Sequence, residues 1–516
     1  MKQFFYCVLT LSLLLNACTD NIPADFTEQG TALSISPDYT QLTIPYNIAP
    51  LNFTVNDPAD VYLAVAHSSN GKQLTTTGPK VMWKLKEWKA LLETNKGKTL
   101  SIDFYLKKGE QWYKYPSIRH FIAEEAIDPY LSYRLIEPGY VTYEDLSINQ
   151  RNLTNFEEKI IFSNTSLGTV DKGQCINCHS YQNYNKTGNM QFHVRQYLGG
   201  TVIVQNGQAK KINLKTDYTI SGGVYPSWHP TLNLIAYSVN DTYQNFHTKD
   251  AQKIEVMDKQ SGLILYDVAK DEVRTIANDP RQFETFPYWS ADGKFLYYAS
   301  ATLPEGIQNP EDDATLQYKD FYYNLYRKAF NPETYEFTYT DTIFEASEFK
   351  KSATFPRESP DGRYLLFTLG EYGNFHIWHK SSDLYLLDLQ SWELRNLTEL
   401  NSKDVESYHS WSSNGHWIVF SSRRDDGSYT RPYIAYFKDG KAGKPFILPQ
   451  ENPDFYGEFF KSYNIPEFMA KPVTISRQEL MSTIKKEAQK VNYLNTEKGK
   501  VVEEEEREKG KENIYQ

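Results

Sequence analysis

"FPYWSADGKFLYYAS" (residues 286–300) decides the fold, because the chain repeats its plan. Phe355 opens "FPRESPDGRYLLFTLG" (355–370), Tyr225 opens "YPSWHPTLNLIAYSVN" (225–240) and Tyr408 opens "YHSWSSNGHWIVFSSRR" (408–424). Each copy has an aromatic-led entry, a small polar turn, and then an apolar run rich in Tyr, Val, Ile, Leu and Phe. Asp292-Gly293, Asp361-Gly362 and Asn414-Gly415 read as two-residue hairpin turns, since Gly and Asn tolerate positive φ. Two further strand-like runs follow in each unit, most plainly "GLILYDVAKDEVRTIA" (262–277) and "SDLYLLDLQSWELRNLT" (382–398). Four strands per unit predict a β-propeller blade, and the period-two patterning excludes a helical solenoid.

Working outward, "CHSYQNYNKTGNMQFHVRQYLGGTVIVQNGQAKKINLKT" (178–216) reads as one more blade. It sets Cys178-His179-Ser180-Tyr181 against Pro226-Ser227-Trp228-His229. Upstream, "YEDLSINQRNLTNFEEKIIFSN" (143–164) reads as two outer strands of a blade completed from both chain ends, which removes free sheet edges. The expectation is an all-β chain with a six-bladed propeller over residues 126–470, five blades being the fallback. Residues 30–125 hold alternating strands with turn residues between them and predict a small β-sandwich. From 471 to 516 a helix and a charged, solvated tail are expected. Ser476 would cap the helix "RQELMSTIKKEAQK" with Glu479 three positions on, as in a capping box.

The N-terminus speaks to compartment. Met1-Lys2 precedes the apolar run "FFYCVLTLSLLL", which ends at Leu15-Asn16-Ala17-Cys18, so residues 1–17 read as a secretory signal. The run is too short to span a bilayer, and no later stretch approaches the ~20 apolar residues a spanning helix needs. The cut site resembles a bacterial lipobox, which implies cleavage before Cys18 and lipidation of that residue, with 18–29 as a linker. Thr19 after Cys18 favours an outer-membrane anchor, periplasmic or surface-facing. Each acyl methylene adds ~0.8 kcal/mol of membrane affinity. The net charge of −10 and the lack of a basic stripe exclude a nucleic-acid partner. The 39 tyrosines against 6 methionines suit strands.

With Cys7 removed and Cys18 lipidated, Cys175 and Cys178 are the mature protein's remaining thiols, and with His179 they spell C-x-x-C-H. That pattern attaches haem c through two thioethers, with His179 as proximal ligand and Met190 or His193 as distal ligand. Tyr181, Tyr184 and Phe192 would wall the macrocycle. A Cys175–Cys178 disulfide is the alternative; a zinc clip would need four ligands. For binding, the unit entries offer Trp228, His229, Trp289, Glu358, His409 and Trp411 on one face, although the tryptophans suit wedges between blades better than ligand contacts. The absence of G-x-S-x-G excludes a propeller peptidase with a hydrolase domain. His376, His379, His409 and His416 are the candidates for a metal-dependent polysaccharide lyase. Asp425-Asp426 reads as a turn. No catalytic or metal constellation is expected.

The "FPRESPDGRYLLF" and "FPYWSADGKFLYYAS" units resemble the TolB-type, WD-like propeller repeat. From "EAIDPYLSYRLIEPGY" through "CINCHSY" and "YPSWHP" to "DVESYHSWSSNGHWIVFSSRRDDGSYTRPYIAY", about residues 125–470, the wording is similar to bacterial TolB-like outer-membrane lipoproteins. The resemblance implies the propeller fold and little about function. A rigid propeller tethered through Cys18 is expected to dock an envelope protein or glycan, with haem c electron transfer through Cys175, Cys178 and His179 as the alternative role. The chain lacks TolB's N-terminal domain, so TolB's own partners are not implied.

Overall fold

The computed structural model describes residues 22–137, 145–169, 172–307 and 317–494. The signal, Cys7, Cys18 and the charged tail after 494 lie outside these residues.

Six four-stranded antiparallel blades form the body. Their innermost strands are Gln174–Tyr181 (blade I), Val224–Trp228 (II), Gln282–Trp289 (III), Ser352–Glu358 (IV), Glu406–Trp411 (V) and Ser462–Met469 (VI). Blade VI closes the ring from both chain directions. Its inner strand follows blade V, and its other three strands, Tyr130–Ile136, Ser147–Asn152 and Glu158–Ser163, precede blade I. The pairing of Tyr130 with Met469 and of Ile136 with Ser462 fastens the two ends. Ser132 Oγ and Tyr181 OH, 2.8 Å apart, then join blade VI to blade I.

The hairpin turns are longer than expected. Gly293, Gly362 and Gly415 have φ of 72–74°, but Asp292, Asp361 and Asn414 are not left-handed, so these are not two-residue type I′ turns. In blade III, Ser290 O accepts from Gly293 N at 3.0 Å, and Ser290 N donates to Phe295 O at 2.8 Å. Ser290 Oγ also donates to Asp292 Oδ1 at 2.7 Å and accepts from Phe295 N at 2.9 Å. Ser359 and Ser412 make the same bonds, so the unit is Ser-x-Asp/Asn-Gly, held by its serine as much as by its glycine.

Each inner strand contains one bulge, and at each bulge a non-glycine residue is left-handed: Cys178, Tyr225, Phe286, Phe355, Tyr408 and Ile465, with φ of 47–54°. The bulge re-aims one side chain toward the axis at a backbone cost of about 1–3 kcal/mol per residue. This fixes the register and corrects the sequence alignment by one residue. Cys178-His179-Ser180-Tyr181 is equivalent to Tyr225-Pro226-Ser227-Trp228. A one-residue slip exchanges the two faces of a strand, so it changes which side chains meet the axis.

Before the propeller, a six-stranded sheet packs on a three-stranded one, with Phe53 and Phe104 in edge contact between them at 5.9 Å. The expected linker is partly structured, since Thr27–Glu28 pairs in parallel with Gln111–Ala123. A helix, Leu85–Glu93, also sits in this unit, burying Trp88, Leu91 and Leu92 along one face. The unit shares one apolar core with blades IV to VI. At the other end Ser476 Oγ accepts from Glu479 N, capping a helix that stops at Ile484 rather than running to 490. The chain then adds parallel strands to two blade edges, Gln489–Lys490 on blade I and Asn492–Tyr493 on blade II. These short additions cover edges that would otherwise invite pairing with another chain.

Candidate functional site

The six left-handed residues converge and plug the axis. Phe286 and Phe355 ring centroids lie 4.1 Å apart, Tyr225 and Phe286 4.5 Å, and Phe355 and Tyr408 5.1 Å. The small Cys178 leaves beside them a cavity of about 40 Å³. The plug separates two mouths.

One mouth, where the inner strands end, is a funnel of about 320 Å³. Its floor is set by the position two residues beyond each bulge: Ser180, Ser227, Tyr288, Arg357, Ser410 and Glu467. The serines are partly engaged, with Ser227 Oγ accepting from Trp289 N at 3.1 Å and Ser410 Oγ donating to Pro466 O at 2.9 Å. The two ionisable groups are less so. Arg357 stacks its guanidinium 4.7 Å from the Tyr288 ring centre and donates Nη1 to Pro356 O, with no partner for Nε or Nη2 among the described residues. The Glu467 carboxyl accepts no hydrogen bond from these residues, and its buried Oε2 has no partner. Arg357 and Glu467 both line the funnel without closing an ion pair. Burial raises the Glu467 carboxyl to about 8, with Arg357 opposing. Burial also pulls Arg357 below its usual range, although Tyr288 and Glu467 favour its charge.

The next position outward is the wedge: Tyr181, Trp228, Trp289, Glu358, Trp411 and Phe468. Trp228, Trp289, Glu358 and Trp411 therefore do line the funnel, but mostly from between the blades. Trp411 Nε1 donates to Arg357 O at 3.0 Å. Glu358 accepts from Ala291 N and Tyr297 OH, so its carboxylate is occupied in joining blades III and IV. His229 and His409 are not on the funnel wall. His229 Nε2 donates to Gly293 O at 3.0 Å while Nδ1 accepts from Thr231 N and Leu232 N. A Cβ at Gly293 would lie 2.5 Å from that ring, so glycine is required there. His409 Nε2 donates to Leu366 O at 3.1 Å between blades. Burial holds both histidines neutral, His229 at about 4 and His409 at about 3.

The other mouth is roofed by a long hairpin of blade II, Leu234–Phe246 with Ile254–Asp267, which reaches blade IV. Asp258 accepts from Tyr323 OH at 2.6 Å, Asn374 Nδ2 at 2.7 Å and Asn240 Nδ2 at 2.8 Å, and burial raises it to about 6 despite these bonds. Glu255 accepts from Tyr372 OH and lies 2.9 Å from His379 Nε2. Nothing in the sequence pattern pointed to this clamp.

The haem residues scatter. Cys175 and Met190 sit in the apolar core shared by blades I and VI. Cys178 faces the axis. His193, on the opposite strand face, meets Thr201 at 2.8 Å and the Tyr237 ring at 5.8 Å. His179 is 2% exposed and neither of its ring nitrogens completes a hydrogen bond; burial lowers it to about 3 against a weaker pull from the Ile465 backbone. Tyr181 lies beside it, with ring centroids 5.9 Å apart. Both cysteines are thiols rather than a disulfide. These residues do not fit haem c. The sulfurs face different surroundings, and the space touching Cys178 and His179 would hold a few waters, not a macrocycle. Of the lyase histidines, His376 and His379 lie together with ring centroids 5.5 Å apart, but His409 and His416 lie elsewhere and each ring already has a protein partner. His376 bonds Thr354 and Tyr372 O, His379 bonds Glu255, and His416 contacts Phe437 O. Among the described residues, no three His, Cys, Asp or Glu side chains group as metal ligands. Asp425 accepts from Tyr433 OH. No helix among the described residues is long and apolar enough to cross a membrane.

No protein-family model matches this chain, and no curated protein matches it. Among solved structures it is similar to TolB from Acinetobacter baumannii, at 13% identity and a TM-score of 0.41, over 74% of this chain and 84% of that one. A puromycin hydrolase mutant complexed with PGG aligns at 11% identity and 0.36, over 62% and 52%. The β-propeller domain of the Trilobed protease from Pyrococcus furiosus aligns at 11% and 0.28, over 68% and 82%. Likenesses this distant bear on neither ligand nor activity; the propeller rests on the strand pairings above.

Proposed function

We propose that this protein is a lipid-anchored docking propeller of the bacterial cell envelope, tethered to the outer membrane through Cys18 and holding an envelope protein or glycan at its funnel. The observation that carries the reading is the floor. At six equivalent positions the chain places three serines, a tyrosine, an arginine and a glutamate, and the guanidinium and the carboxyl do not pair with each other. Burying such groups unpaired costs stability, so their placement in a concave mouth favours recognition over packing. A rigid ring of blades suits this role because it holds the floor in fixed geometry.

The test uses full-length, acylated protein. Palmitate labelling is expected for the wild type and lost in Cys18→Ala, which should move to the soluble fraction. The immobilised protein should retain a solubilised envelope component, and Ser227→Arg, which fills the funnel, should abolish retention. Equal retention by Ser227→Arg would contradict the reading.

A further inference from the structure

The funnel floor carries a guanidinium and a carboxyl that face one space and do not meet. Arg357 keeps Nε and Nη2 without partners among the described residues, and Glu467 keeps both carboxylate oxygens without donors from them. A neutral sugar needs donors and acceptors but no separated ions. A lone cation or anion would leave one of the two uncompensated. A group bearing both charges satisfies both, and charge-assisted bonds of this kind are among the strong ones. The wall narrows the choice further. Tyr288 and Pro226 at the floor and Tyr184 and Pro360 along the wall give an apolar lining edged by the wedge tryptophans, and about 320 Å³ admits one side chain with its head group.

We infer that the funnel binds a free α-amino acid with an apolar or aromatic side chain, its ammonium on Glu467 and its carboxylate forked onto Arg357. This rests on the docking reading only in taking the funnel as the site. Ser180 and Ser410 flank the head group, and Tyr288 holds the guanidinium flat beneath it. The titratable groups facing Glu467 are Arg357 of blade IV, Tyr288 of blade III and Tyr181 of blade I; Lys186 also lines the funnel, and the neutral His179 lines the small cavity that Glu467 borders. Blades II and V present Ser227 and Ser410. No second carboxylate on the floor competes for the ammonium, because Glu358 is occupied by Ala291 N and Tyr297 OH.

Calorimetry on the full chain tests this with L-phenylalanine, L-leucine, N-acetyl-L-phenylalanine and L-phenylalaninamide. The free amino acids are expected to bind, and each cap to weaken binding at least tenfold. Glu467→Gln should abolish the discrimination against the acetyl cap alone, and Arg357→Met the discrimination against the amide alone. Ammonium binding also requires Glu467 to ionise. The wild type should therefore release a proton at pH 7, read as a buffer-dependent enthalpy, and affinity should rise from pH 6 to pH 8. Equal binding of capped and free forms, or no binding of either amino acid at 10 mM, overturns the inference. If envelope retention persists in that case, the docking reading stands without it.

Discussion

Glu467→Gln should stabilise this protein, although it removes a charged residue from the funnel. The carboxyl's ordinary value is 4.5, and in the fold burial raises it to about 8. An acid whose value rises on folding favours the fold while both states are protonated. As pH climbs from 4.5 to 8, the unfolded chain releases a proton that the folded one retains, so stability falls across that window. At about 1.4 kcal/mol per pH unit the full penalty above pH 8 is ~5 kcal/mol. The funnel is open to water and Arg357 faces it, so we take about half, ~2 kcal/mol at pH 8. Glutamine keeps the shape and never ionises. Urea unfolding of the two proteins at pH 5, 6, 7 and 8 should give a difference near zero at pH 5 that grows in favour of Glu467→Gln toward pH 8. A variant less stable than the wild type at pH 8, or a difference that does not change with pH, would refute the account of an uncompensated carboxyl on the floor.

Other outcomes follow from the same packing. Six histidines are held neutral: His120, His179, His193 and His409 at about 3, His229 at about 4, and His376 well below its ordinary value by burial. Below 6.5 the unfolded chain takes up protons that the fold refuses, while Glu467 and Glu284, both raised to about 8, act in the opposite sense. The net loss between pH 6.5 and 5.5 should be about 3 kcal/mol, seen as a sharp drop in urea midpoint. Cys175 and Cys178, 0% and 3% exposed, should resist a thiol reagent in the native protein and react fully in urea; a haem-sized mass increment on residues 175–178 would contradict the account of that strand. Ser476→Ala should cost about 1 kcal/mol locally and speed amide exchange at 489–494, where the edge strands depend on the helix.

Blades III, IV and V were legible because two local rules agree in them: a turn with Gly at a left-handed position and a period-two apolar run beside it; blade II, whose turn "HPTLN" has no glycine, was legible through its aromatic lead and apolar run. Where both the aromatic lead and the turn were missing, reading failed. Ser462–Met469 is the innermost strand of blade VI, yet "SYNIPEFM" has neither the aromatic lead nor the Ser-x-Asp-Gly turn. The signal that could have found it is proline. Pro226, Pro287, Pro356 and Pro466 all follow the left-handed residue directly, and His179 and His409 take that place in blades I and V. Aligning on those prolines would have corrected the one-residue slip and turned attention from the wedge tryptophans to Arg357 and Glu467. The C-x-x-C-H pattern misled for the same reason: its second cysteine is the axial residue of a bulge, a fact of register rather than of spacing. The strands at 489–493 were illegible on physical grounds, since two-residue pairings on an edge leave no periodicity to read.

The central claim is that the funnel, not the roofed mouth, is where this protein meets its partner. A photo-crosslinking residue placed at Tyr288 and, separately, at Thr242 of the blade II hairpin tests it in living cells. The account predicts a discrete adduct from position 288, abolished by Ser227→Arg, and none from 242. An adduct from 242 with nothing from 288 would contradict it.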